Sequence, residues 1–278
     1  MIAKEEIENN INSEWQITLK YQEESRLGLA KFIIETCQKI NVSNETASLA
    51  ILITNLFFIR KCYFNYDKLT TACAAILLAS KTQTSQSKLN DISREYSSAL
   101  NKIKKDNNPY QPEDSRKIKE QIGRYEIFLL KELNFNIPQE FPFDFVYVYS
   151  ELLYPNNEQE VANVAIKVAH DSYLTYANNI YKSYVVALSC IVIAARFLDI
   201  PTFLEENFKF INNMQKINTK GISAKDFDKL LIQYDNQPNN SIIDEQEKKE
   251  NENYFKGLNL YQKLHPDLKM EQLMDCID

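Results

Sequence analysis

Leu69 to Lys81 reads LTTACAAILLASK and carries no charge until its final lysine. A helix of that composition has no polar face to turn toward water, so it has to be wrapped on all sides. At about 13 residues it falls short of the ~20 that span a bilayer. The small side chains of Ala72, Ala74, Ala75 and Ala79 let neighbouring helices come close. The stretch is predicted to be the central, buried helix of a helical domain.

The pattern returns once. Setting Tyr184–Arg196, YVVALSCIVIAAR, beneath it pairs Ala72 with Ala187, Ile76 with Ile191, Ala79 with Ala194 and Lys81 with Arg196. Both copies end an apolar helix on a cation. Alanine-rich helices share composition cheaply, but the order of helices around the two copies also matches, which favours duplication over chance.

Working outward from these two stretches, the chain reads as helical throughout. It has only four glycines in 278 residues and no alternating strand pattern, and 44% hydrophobic residues supply a real core. Ser25–Lys39 places Leu29, Phe32, Ile33 and Thr36 on one face. Ser43 is positioned to cap the next helix, which runs to about Lys61, and Asp67 to cap the central one, each by accepting from an otherwise unpaired amide. A helix over Leu89–Ile103 follows. Pro112 with Glu113 and Asp114 then opens a fifth, because proline lacks the amide that a first turn cannot pair and acids favour the positive end. Its ridge is Ile118, Ile122, Tyr125, Leu129 and Leu133.

Pro138 and Pro142 mark a link over Asn136–Phe143, after which the plan repeats as Phe143–Tyr154, Glu158–Asn178, Ser183–Leu198, Phe203–Phe210 and Ala224–Tyr234. The expected organisation is an N-terminal segment over 1–24 that lays Trp15 against the first domain, five helices over 25–137 and five more over 138–235. A polar, disordered linker over 236–253 then leads to a C-terminal segment over 254–278 with the apolar spacing of a helix.

Bulk chemistry excludes several functions. A formal charge of −6 opposes a phosphate backbone as the main ligand. Cys37, Cys62, Cys73, Cys190 and Cys276 show no CxxC spacing, and four of them sit in or beside apolar helices, so reduced core thiols in an intracellular protein are expected. The acidic N-terminus does not read as a secretory or transit signal. The two histidines, His170 and His265, have neither metal-ligand spacing nor a nucleophile beside them, and no Gly-rich phosphate loop is present. No catalytic residue, metal or cofactor is expected.

Arg26, Phe32 and Ile33, the stretch LTTACAAILLASK, the run YEIFLLKELNFNIPQEFPFDF over Tyr125–Phe145 and the segment Ala169–Pro201 together resemble the cyclin family, over roughly Arg26–Tyr234. The second-half segment is similar to that of transcription-type cyclins such as the K, L and T groups. The resemblance implies an all-α, cyclin-like fold of two tandem five-helix cyclin boxes. It also implies a regulatory subunit, not an enzyme, that binds and activates a cyclin-dependent protein kinase of the transcription-regulating type in a heterodimer or larger complex, with no direct nucleic-acid or membrane ligand and a nuclear location.

Two ionised groups are rooted beside apolar surface: Lys81 at the end of the central helix and Glu126 between Tyr125 and Ile127. By their own chemistry they reach solvent or meet in a surface pair of ~0–1 kcal/mol. The resemblance implies that Lys81 and Glu126 instead bond kinase backbone near its αC helix, with Leu78 and Phe128 as apolar neighbours. The sequence departs from the family where Thr82, Gln83 and Thr84 replace the two acids usual after the lysine, and where Ile59, Arg60 and Lys61 stand in the His-Arg-aromatic run. Two other readings stay open: a cyclin-fold scaffold without kinase activation, and an adaptor of the general-transcription-factor type, which ordinarily carries an N-terminal zinc ribbon and basic boxes.

Overall fold

The computed structural model describes residues 7, 10–83, 89–104, 112–138, 140–202 and 276. These fold into helices with no strand among the described residues. In chain order they are α1 (Ile11–Glu14), α2 (Leu19–Lys39), α3 (Asn44–Arg60), α4 (Lys68–Thr82), α5 (Leu89–Lys104), α6 (Pro112–Glu132), α7 (Phe143–Leu153), α8 (Glu158–Ser172), α9 (Ala177–Ile180) and α10 (Ser183–Phe197). By its contacts the chain separates into two compact units, Met1–Asp144 with Lys167–Val186, and Phe145–Ile166 with Ala187–Asp278.

In the first unit α4 is the hub. Every residue from Thr70 to Ser80 is buried, and α4 packs on α2, α3, α5 and α6. Its start is fixed chemically: Asp67 Oδ2 accepts from Thr70 N at 2.8 Å, from the Thr70 hydroxyl and from Tyr96 OH at 3.3 Å. Ser43 caps α3 in the same manner, accepting from Thr46 N at 3.3 Å. Buried thiols line this core. Burial pushes Cys37 up to about 12 and raises Cys73 as well, so both stay protonated and inert.

In the second unit the buried residues include Val146, Tyr149 and Leu153 of α7, Val161, Ala162 and Ala165 of α8, and the run Ala187–Val192 with Ala194 and Ala195 of α10. The positions paired in the repeat share one environment: Ala72, Ile76 and Ala79, like Ala187, Ile191 and Ala194, have no exposed surface.

Several expectations need correction. The first long helix begins at Leu19 instead of Ser25, because Thr18 caps it by accepting from Tyr21 N at 3.3 Å. Trp15 does not lie on the domain but is 57% exposed. The N-terminal segment is held by a polar residue: Asn12 donates to Phe58 O at 2.7 Å and accepts from Tyr63 N at 2.9 Å. Buried main-chain groups at the end of α3 need partners, and an asparagine offers both a donor and an acceptor where tryptophan offers one donor. The helix expected over Glu158–Asn178 stops at Ser172 and a separate turn, α9, follows. The expected helices Phe203–Phe210 and Ala224–Tyr234, and the tail apart from Cys276, lie outside the described residues.

Candidate functional site

Lys81 sits in the last turn of α4, where a cation meets the negative end of the helix dipole. Its Nζ lies 2.6 Å from Glu126 Oε1 of α6. The two ends of this pair differ: the Lys81 side chain is 60% exposed, the Glu126 side chain only 9%. A carboxylate so nearly desolvated is stable only with a partner, and the ammonium supplies one while its other donors face outward.

The packing of α4 on α6 leads to this meeting. Near the α4 start, Gln121 Nε2 donates to Thr70 Oγ1 at 3.3 Å and Asp67 N donates to Tyr125 OH at 3.4 Å. Ile122, Leu129 and Leu133 of α6 are buried in the core. With that ridge turned inward, Glu126 falls at its margin, where a buried carboxylate can still reach a surface cation.

Sequence reasoning named four residues here, and the structure brings two of them together. Leu78 is 4% exposed and belongs to the core. Phe128 is half-buried two residues beyond Glu126, about 200° around the helix, and so points elsewhere. It stacks on Tyr66 with ring centroids 5.5 Å apart, meets Phe57 edge-on at 5.7 Å, and lies under the Lys61 ammonium. Lys61 in turn pairs with Glu132 at 2.9 Å. The apolar group that α6 does leave exposed beside Glu126 is Ile127. A signal for it existed, since Ile127 stands about 200° from both Tyr125 and Leu129 and is thus an aliphatic residue opposite the buried ridge.

His170 is half-buried against the Phe143 ring, with centroids 4.4 Å apart, and its Nδ1 is 3.5 Å from Ser48 Oγ. Burial lowers its pKa, partly offset by Glu45 and Asp171. No group of three or more His, Cys, Asp or Glu able to hold a metal occurs among the described residues, and no described helix is long and apolar enough to cross a membrane.

A bundle wrapped around an alanine-lined rod is the arrangement that the resemblance to cyclins implies. The family described as "Cyclin, N-terminal domain" matches residues 1–138. Residues 1–138 thus belong to the cyclin family, and the curated relatives that the chain matches are cyclins of the K and L groups. Human Cyclin-K is 22% identical over 169 residues, 60% of this chain and 28% of that protein. Zebrafish (Danio rerio) Cyclin-L1 is 26% identical over 151 residues, 54% of this chain and 30% of that protein. The chain thus spans about a third of the length of the curated relatives it matches.

Among solved structures, a chain of the yeast RNA Pol II CTD kinase CTDK-1 complex aligns with a TM-score of 0.55 at 17% identity, covering 99% of this chain and 81% of that one. A chain of the yeast TFIIK complex aligns at 0.54 and 14%, covering 74% and 91%. At such identities the likeness is one of fold.

Proposed function

We propose that this chain is a regulatory subunit that binds and activates a cyclin-dependent protein kinase of the transcription-regulating type, in the nucleus. The observation that carries the reading is the Lys81–Glu126 pair on the first cyclin box. A protein kinase works only when the glutamate of its αC helix reaches the lysine that holds the ATP phosphates. A rigid partner docked beside αC holds it there. On this chain the docking face is centred on Lys81 and Glu126, with Ile127 supplying exposed apolar area. Leu78 supports that face from within, and Phe128 fixes α6 behind it. Apolar burial supplies most of the affinity, and the charged pair sets register. The relatives' kinship with transcription-type cyclins, and the fold shared with chains of two kinase complexes, support the choice of partner.

The test is reconstitution with the kinase recovered from the native source by its association with this chain. Changing Lys81 and Glu126 together to alanine is expected to weaken association at least tenfold, with the circular-dichroism spectrum unchanged. Kinase binding and activation equal to the parent would overturn the assignment. Recovery of no kinase at all would leave the cyclin-fold scaffold as the better reading.

A further inference from the structure

Two glycines lie among the described residues, and both stand in helix interiors, Gly28 in α2 and Gly123 in α6. Neither has a positive φ, and a Cβ built on either meets no atom within 4 Å. The chain's own backbone and packing therefore do not require glycine at these positions. A helix interior is less stable with glycine than with alanine, because glycine gives up more backbone freedom on folding. At Gly123 the surroundings supply a reason that lies outside the chain.

Helical spacing puts Lys119, Gly123, Ile127 and Leu130 on one stripe of α6, and Glu126 stands at its edge, one turn beyond Gly123. Lys81 meets that edge through its 2.6 Å contact with Glu126. Ile127 is largely exposed and Leu130 half-buried, so the C-terminal end of the stripe is apolar. In the middle, the absent side chain of Gly123 leaves open space directly over the helix backbone. At the N-terminal end Lys119 makes no ion pair among the described residues.

These features select the occupant. The main-chain N–H and C=O groups of α6 are used within the helix, so the stripe offers nothing with which an extended segment could pair its own. A helix has already satisfied its main chain, can lie across apolar surface, and comes closest where the facing residue has no side chain. An unpaired ammonium at one end favours a carboxylate opposite it. We infer that a helix of the bound kinase crosses α6 at Gly123, with an aliphatic side chain against Ile127 and Leu130 and a carboxylate near Lys119. The inference rests on the kinase reading and adds to it the contact that sets how closely the two proteins approach.

The test uses the full chain and the kinase recovered with it. Gly123→Ala should raise the melting temperature of the free chain by about 2–4 °C. It should nonetheless weaken kinase association about threefold, and Gly123→Leu, whose side chain the open space accommodates in the free chain, about tenfold or more. Lys119→Glu should slow association, with a loss that shrinks at high salt. Gly28→Ala is the control: it should raise the melting temperature to the same extent and leave association unchanged. If Gly123→Leu associated as tightly as the parent while the double change at Lys81 and Glu126 still weakened binding, the crossing point would be wrong and the kinase reading would stand. A double change without effect would bring down both. An equal loss with Gly28→Ala would also overturn the inference, since helix stiffening and not contact at α6 would then be the cause, and an unaltered rate with Lys119→Glu would remove the carboxylate from it.

Discussion

Helices α4 and α10 bury the same pattern and differ at their ends. Along the middle the two are interchangeable: alanine, isoleucine and alanine recur at matching positions with no exposed surface. At the start, α4 is capped by Asp67, whose carboxylate ties in Thr70 and Tyr96, and in the first turn of α10 Val185 N and Val186 N donate to Lys182 O. At the far end α4 carries Lys81 against a buried glutamate, while α10 runs out through an exposed Phe197 into a turn with Asp199 at φ 55°. The lesson is that close packing constrains the middle of a core helix alike in both copies, while the residues at the ends answer to different neighbours.

The sharpest way to break the comparison is at its shared centre. Ile76→Ala and Ile191→Ala should each cost about 2–5 kcal/mol in denaturant titration, the range for truncating a fully buried aliphatic side chain. A loss below 1 kcal/mol at either site would show that the two helices are not equivalent rods. Next in size is the capping difference. Asp67→Ala should destabilise by about 1–2 kcal/mol, since it removes a cap and the carboxylate that accepts from the Thr70 and Tyr96 hydroxyls. The replacement Lys182→Ala at α10 retains the main-chain acceptor and removes the ammonium that lies 5.5 Å from the Tyr184 ring centroid, so its cost should stay at or below about 1 kcal/mol.

Smaller again is the terminal cation. Lys81→Met should cost about 1 kcal/mol, above a typical surface pair because Glu126 is left nearly buried without a countercharge. Adding Glu126→Gln should restore part of that loss, and a thermal-melt double-mutant cycle measures the coupling.

The smallest effect concerns pH. Burial lowers the His170 pKa, so the folded chain resists the proton that the unfolded chain accepts. Stability contributed by the neutral ring is complete above the unfolded value of about 6.5 and is lost as pH falls from there through the folded pKa. Melts between pH 7.5 and 5 should therefore show a decline that His170→Gln reduces. An unchanged slope in the variant would assign the pH dependence to other groups.

Much of this was legible in the residues. Ser43, Asp67 and Pro112 mark helix starts because capping chemistry is local, and LTTACAAILLASK announces its burial because it carries no charge before Lys81 and has no polar face. That Lys81 and Glu126 meet was one of the two outcomes their own chemistry allowed, solvent being the other, and with 45 residues between them along the chain spacing could not choose. The apolar neighbours were not legible. Leu78 is one turn before Lys81, yet its side chain belongs to the core, and Phe128 is taken up by Tyr66 and Phe57. Which side of a helix faces solvent follows from all the neighbours at once, and no single helix's sequence contains them. The same holds for Trp15, whose size suggests burial, and for Asn12, whose polarity hides its structural role.

Asn12 has a practical consequence for anyone shortening this protein. Its amide bridges Phe58 O and the Tyr63 amide, groups that lie 46 and 51 residues away in sequence and close off the end of α3. A chain cut to begin at Leu19 would keep all five helices of the first box on paper, yet it would leave two inward-facing main-chain groups unanswered where α3 hands over to α4. The short N-terminal arm is a clasp on the box, so a cut intended to trim a dispensable leader would loosen the helix junction beneath it.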